Sequence, residues 1–497
     1  MAIPKVCGIE TEYGIFVRGA ENDPVAASSL LVNAYADRLG SRPGWDYEHE
    51  RPSSDARDPD LPSPFGVGDP ELESRLVNTV LRNGARFYVD HAHPELSTPE
   101  VRDAIDAVRW DAAGEEVLRR SVELASRHLP GGAEIVIHKN NSDGKGNSYG
   151  CHENYLVDRQ VPFGRVVNGV LAHFVSRQVV CGAGKVGSEF PGQEPSAVPF
   201  QISQRADFFE EQVGLETTIR RPIVNTRDEP HADPMVYRRL HVICGDANMS
   251  QVSTLVKVGS TAIILAMIED GALGDELLPA NPVTAVRQIS HDPTLRATIL
   301  LDDGRRMTGL DMQEALHEQA LRWFDRFGPE SVGAEAGTES LRRWGEVIAS
   351  LRSDDGRAAA WVDWVAKSRI IDAYATRHDV APGSPRLRAI DLQYHDLRPE
   401  RCLAARAGLE DVVPAEAVLR AVDEPPSDTR AFFRGRCLGK FAESVVAANW
   451  DSMVFDLGHD PLRRVQMSEP LRGTADLVAN VIDESSTVGE LLERLGA

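Results

Sequence analysis

Paired cysteines are missing. The six cysteines (7, 151, 181, 244, 402 and 437) include no CxxC pair. That argues against a zinc ribbon or a disulfide framework and fits a reducing compartment, the cytoplasm. Long apolar runs are missing too; the longest, 261–268, is far short of a membrane span. The opening MAIPKVCGIE has no basic stretch followed by an apolar core, so no secretory signal is expected. Positive charge is scarce. With 54 Lys and Arg against 76 Asp and Glu, the net charge is −22. A duplex binder of that charge would repel its polyanionic partner, so nucleic acid is not an expected partner. No GxxxxGK[ST] is present. GAGKVG (182–187) lacks the spacing of a phosphate loop and reads as a surface turn.

What is present is an unusual set of strands. RFYVDHAHPE (86–95) begins as a strand in which Arg86, Tyr88 and Asp90 alternate with Phe87 and Val89, so the three polar side chains share one face. Residues 5–17 read as another strand with Gly8, Glu10, Glu12 and Gly14 on one face. Further strands are expected at 133–138, 200–205, 221–227 and 238–244, where Ser203 pairs with Arg205, Asn225 with Arg227, and Arg239 with His241 on common faces. One such strand is an ordinary wetted sheet face. Five together point to a sheet whose inner surface is a polar cleft. Its carboxylates suit Mg²⁺, and its arginines suit phosphate oxygens. A nucleotide bound there would be held by carboxylate-bound metals and arginines.

Helices are expected at 28–39 (capped by Ser28 or Ser29), from Thr98 and Pro99 onward, at 111–127 and at 250–269, with mostly helical sequence from 310 to 420. Residues 41–74, with six prolines, three glycines and many acids, read as a long mobile loop. Residues 428–497 read as a small C-terminal unit. Cys7, Cys151 and Cys244 adjoin polar motifs, but each is read as a small buried hydrophobe.

GIETEYG (8–14), NGARFYVDHAHPE (83–95), NNSDGKGNSYGCHENY (140–155) and LHVICGDANMS (240–250) resemble the carboxylate–amine ligase superfamily that includes glutamine synthetase. More narrowly they are similar to the actinobacterial family of enzymes that ligate or remove the prokaryotic ubiquitin-like protein Pup. WVDWVAK (361–367), AIDLQYHDLRP (389–399) and NWDSMVFDLG (449–458) extend the likeness over essentially the whole chain. The resemblance implies an α+β fold. Its large domain, 1–427, is glutamine synthetase-like: a curved, mainly antiparallel sheet forms a cleft with helices packed behind it. A small domain, 428–497, follows. Two features favour the hydrolytic branch over the ligase: the insertion 41–74, and the doubled histidine of DHAHPE, where the ligase has one more residue and no such pair.

The resemblance further implies ATP, retained rather than consumed by cleavage, and Mg²⁺ as cofactors. Glu10, Tyr88 and Glu95 match metal contacts. Arg86, Thr98 and Trp450 match positions that hold ATP, and Asp90 matches the essential aspartate. His152, Arg205, Arg227 and His241 match polar residues around the phosphates, with His152 and His241 as candidate metal ligands; Glu12 and Glu153 are additional ones. The implied partners are Pup and pupylated proteins, and the chain is expected to be a monomer. Candidate Pup-facing segments are the arginines between 205 and 239 and FFRGRCLGKF (432–441).

Overall fold

The computed structural model describes residues 1–496 apart from Ser41, His49, Pro52, 58–76, 195–196, Asp275 and 459–460. Eleven strands lead up to the site. In chain order they are β1 (Cys7–Glu12), β2 (Gly14–Arg18), β3 (Gly44–Trp45), β4 (Asn78–Val80), β5 (Arg86–Asp90), β6 (His93–Ser97), β7 (Glu134–His138), β8 (Cys151–Asp158), β9 (Glu211–Gly214), β10 (Pro222–Asn225) and β11 (Tyr237–Val242).

Six of them form one antiparallel sheet in the order β11-β8-β1-β6-β5-β4. Successive side chains on a strand point to opposite faces, so its two faces can be read from the register. On the back, Ile9, Thr11, Phe87, Val89, Leu96, Cys151, Tyr155, Leu240 and Val242 are buried. The helices Ala104–Ala125 and Gln251–Glu269 pack behind β1 and β8. Burying these side chains is the main driving force for assembly. The helix Gln251–Glu269 is apolar and long enough to cross a membrane, yet 94% of that stretch is buried, which makes it a core helix. Ser250 caps it by accepting from the Ser253 amide.

Several expected boundaries move. The strand 5–17 breaks at Tyr13, because β2 leaves the main sheet and pairs with β7. The first helix starts earlier, at Pro24, capped by Asp23 rather than by Ser28 or Ser29. The helix after β6 starts at Ala104 with Asp103 as cap. Thr98 does not cap it; its hydroxyl accepts from the Ile9 amide at 3.0 Å. Residues 200–205 form no strand, only an isolated bridge between Gln201 and Lys185. GAGKVG (182–187) is buried throughout rather than a surface turn.

The C-terminal unit has its own core, built from Phe432, Phe433, Cys437, Met453, Phe455, Ile482 and Leu491 among others. It is not contiguous in sequence. Its sheet, Arg463–Gln466, Ser452–Phe455 and Val445–Ala448, is completed by β3 from the 41–74 insertion, and Trp45 joins its core. The described part of that insertion is therefore anchored rather than a mobile loop. Asp46 pairs with Arg464, the Ala56 amide donates to Thr226 at 2.8 Å, and Asp55 bridges to Arg227. The remainder, 58–74, lies outside the described residues. Within FFRGRCLGKF, Phe432, Phe433, Arg434, Cys437 and Leu438 are buried, while Gly439 and Lys440 are exposed.

Candidate active site

The front face of the sheet collects the alternate residues of five strands. Glu10 stands opposite His152 on β8 and Ser97 on β6; Glu12 stands opposite Glu95, which in turn faces Tyr88. The period of two thus converts scattered residues into a continuous polar surface. Glu10, Tyr88, Glu95, Ser97 and His152 line one cavity with Arg86, Asp90, Arg227, Glu229, His231, Arg239, His241 and Trp450. A more apolar recess adjoins it, bounded by Gly8, Ile9, Thr98, Leu156, Pro230, His231 and Trp450. The polar part suits phosphates and metals; the apolar part suits a nucleoside.

Two groups of ligand atoms each converge to within 4.8 Å: Glu10 with His152 and His241, and Glu12 with Asp90 and Glu95. In the first, His152 Nδ1 is 3.5 Å from Glu10 Oε2 and the two imidazoles lie edge to face with centroids 5.0 Å apart. Burial works to raise the Glu10 pKa, but His152, His241 and Arg239 outweigh it and hold the carboxylate well below its ordinary value. Burial pushes the His241 imidazole well below its usual value, against the pull of Glu10.

The second group is short of positive charge. His93 Nδ1 lies 3.5 Å from Glu12, and the Gly150 amide donates to Glu12 at 2.8 Å. Glu95 has less help. Burial, then the charges of Asp90, Glu12 and Glu10, drive its pKa well above the ordinary range. A bound cation would relieve that repulsion, and three carboxylates are the hard oxygen set that Mg²⁺ prefers. Tyr88 is also pushed well up, by burial and then Glu95, and its hydroxyl lies 3.3 Å from Ser97 Oγ. As a neutral phenol it is a weak ligand.

Asp90 differs from its neighbours in access. Its side chain is 37% exposed, against 18% for Glu10 and 12% for Glu12. It ends β5 at a two-residue hairpin turn, where His91 adopts φ 52°, a left-handed conformation uncommon outside glycine. The doubled histidine is split by this turn: His91 points outward 3.0 Å from Asp90, and His93 turns inward to Glu12.

The guanidinium of Arg86 is stacked between Trp45 and Tyr88, 4.0 Å from each ring. Trp450 meets Trp45 edge to face at 5.3 Å, so the pocket wall is shared between the sheet, the insertion and the C-terminal unit. Arg227 lines the cavity beyond the end of β10.

Two expected residues lie elsewhere. Arg205 is fully buried and donates to the carbonyls of Tyr149 and Ile243, under the site rather than in it. Glu153 points to the back face and forms a bidentate pair with Arg177 at 2.7 and 2.8 Å. Asn154, Tyr47, Glu229 and His231 were not expected. Asn154 follows His152 by two on one strand, so strict alternation would have found it. Glu229 and His231 sit on an irregular turn, with His231 at φ 47°, and carry no periodic signal.

Comparison with known proteins fits this architecture. The family model described as Pup-ligase protein matches residues 5–454. The chain belongs to that family. Within it, the chain is 48% identical to a depupylase of Acidothermus cellulolyticus and 45% identical to a Pup deamidase/depupylase of Mycobacterium tuberculosis, each alignment covering 99% of both chains. A Pup–protein ligase of Acidimicrobium ferrooxidans is 41% identical over 82% of this chain and 90% of its own. The ligase PafA in complex with Pup superposes with a TM-score of 0.79 and 31% identity over 99% of this chain and 95% of that one. PafA in complex with ADP gives 0.73 and 33% over 88% and 98%.

Proposed function

We propose that this protein is a nucleotide- and Mg²⁺-dependent hydrolase of side-chain amides at the C-terminus of Pup. It deamidates a C-terminal glutamine to glutamate and cleaves the isopeptide bond joining that glutamate to a substrate lysine. The observation that carries the reading is the position of Asp90, the most exposed carboxylate of the cluster, in the wall of the polar cleft. The sequence identity to depupylases, 48% and 45% over 99% of the chain, against 41% over 82% for a ligase, supports hydrolysis over ligation.

An amide is a poor electrophile and needs an activated nucleophile and a stabilised oxyanion. Asp90 supplies the first, by attacking the carbonyl carbon or by taking a proton from water. Water is added across the C–N bond, and ammonia or the lysine amine leaves with the proton. Glu12 and Glu95, with Asp90, would hold Mg²⁺, which when bound polarises the carbonyl or phosphate oxygens. Arg86, Arg227, Arg239 and Trp450 would seat the nucleotide. The enzyme would work as a monomer in the cytoplasm, where its six free cysteines stay reduced.

The test pairs two reactions in ATP and Mg²⁺. Pup ending in glutamine should release ammonia; Pup ending in glutamate, mixed with a lysine-bearing protein, should form no conjugate. Conjugate formation without ammonia release would assign the chain to the ligase branch.

A further inference from the structure

The two cation groups are chemically unlike. Glu12, Asp90 and Glu95 offer only oxygen. Glu10, His152 and His241 offer two imidazole nitrogens and one carboxylate. Mg²⁺ is hard, demands oxygen and keeps its waters, so it fits the first group and not the second. Imidazole with carboxylate suits Mn²⁺, Co²⁺ or Zn²⁺.

A bland account would make Glu10, His152 and His241 an ion pair with a stacked ring. Two details go further. The first is Asn154. Its Nδ2 donates to Glu10 Oε1 at 2.7 Å, and its Oδ1 lies 3.1 Å from Arg239 Nη1 and 2.9 Å from His241 Nδ1. A guanidinium has no acceptor, so Arg239 donates and the contacted atom is the amide oxygen. His241 Nδ1 must therefore carry its proton as well. That leaves Nε2 as the lone-pair nitrogen. A partner that fixes the tautomer of a ligand histidine is the usual companion of a metal-binding imidazole.

The second detail is Gly150. A Cβ there would lie 2.2 Å from His152 Nε2, so that nitrogen is packed against bare backbone. The other nitrogen, Nδ1, is the one turned to Glu10. His152 is thus held with Nδ1 turned to Glu10, and His241 with Nδ1 bound to Asn154 and Nε2 left for a ligand.

We propose that Glu10, His152 and His241 form a nitrogen-rich position that selects a first-row transition ion of the Mn²⁺–Zn²⁺ class over Mg²⁺, with Asn154 as its positioning residue. The cleft then holds two different ions, one at each group. This rests on reading the cleft as a metal–nucleotide site.

The experiment titrates metal-free, full-length protein with Mn²⁺, followed by electron paramagnetic resonance, without nucleotide or Pup and with Mg²⁺ as competitor. One Mn²⁺ should survive about a hundredfold excess of Mg²⁺. Because most sites favour Mn²⁺ somewhat, the variants decide. His241→Gln should reduce the preference at least tenfold, while Glu95→Gln should leave it intact. Asn154→Leu should weaken Mn²⁺ about tenfold. In ¹⁵N spectra of the metal-free protein, it should also convert His241 from a single Nδ1–H form to a tautomer mixture, a change that mere loosening of the fold would not confine to that ring. Equal competition by Mg²⁺ and Mn²⁺ in wild type and His241→Gln alike would overturn the proposal while leaving the Mg²⁺ reading standing. So would anomalous scattering at the manganese edge found only among Glu12, Asp90 and Glu95. Failure to bind any divalent ion would remove both readings.

Discussion

The two faces of β8 carry opposite kinds of polarity. On the back, Glu153 is buried but complete: Arg177 grips both of its oxygens and the Tyr155 hydroxyl donates at 2.6 Å. Lys139 is likewise closed off by Asp111 and Glu115 at 2.7 and 2.9 Å. On the front, one residue away in either direction, His152 and Asn154 face Glu10, and beside it Glu95 lies among Asp90, Glu12 and Glu10 with too little positive charge to match them. The lesson is that burial of a charge does not mark a functional site. What marks it is charge whose complement the protein itself leaves unsupplied.

The sharpest way to break this contrast is Asp90→Asn. It removes the activating carboxylate without disturbing a packed pair, so ammonia release from glutamine-ended Pup should fall about 10³-fold with the melting temperature unchanged. Activity within tenfold of wild type would remove Asp90 from the chemistry. The mirror experiment is Glu153→Gln. It should cost about 3–5 kcal/mol in denaturant unfolding, since it strands the buried Arg177 without a counter-charge. A small loss would mean that the back-face pair is less essential than its geometry indicates.

How far the sequence revealed this contrast depends on which kind of signal each residue carries. β5 was legible to the residue because Arg86, Tyr88 and Asp90 alternate cleanly with two apolar neighbours. The helix behind β8, Gln251–Glu269, was legible from its apolar run 261–268. Glu153, a candidate ligand by resemblance, lies on the back because period-two alternation puts it and His152 on opposite faces. Thr98 looked like a helix cap because Pro99 follows it. Tertiary pairing claimed its hydroxyl instead, as the Cys7–Val101 bridge carries the chain on beside β1. Arg205 sits on a segment with a single bridge, so strand logic could not orient it. His231 and Tyr47 come from irregular segments brought over the sheet by long-range contacts, which no local pattern records.

A third experiment tests a boundary between the regions. Glu100 is held by Arg430 at 2.6 Å and by Arg434, joining the segment after β6 to the helix Ala431–Lys440. Burial alone would raise its pKa, but Arg434 and then Arg430 bring it down to about 2 from 4.5. A depressed carboxylate contributes stability that is present above its unfolded value and lost as pH falls through the folded one. The contribution, on the order of 3 kcal/mol, should therefore fade between pH 4.5 and about 2. Glu100→Gln should flatten that part of the stability–pH curve. An unchanged acid slope would mean that other carboxylates govern it.

The smallest effect probes the front face by geometry rather than charge. Arg86→Lys keeps the positive charge but loses the planar group stacked between Trp45 and Tyr88. It also loses the contacts of Arg86 to Tyr47 and Asn78, both at 3.3 Å. Lysine is a point charge on a flexible stem and cannot replace a stacked, forked donor. If the nucleotide is read by an oriented guanidinium, ATP affinity should fall about tenfold, close to 1.4 kcal/mol, with little change in unfolding. Titration calorimetry in Mg²⁺ measures this directly. An affinity within twofold of wild type would show that the front face works by charge alone, and the stacked wall contributed by the insertion would then serve the fold rather than the ligand.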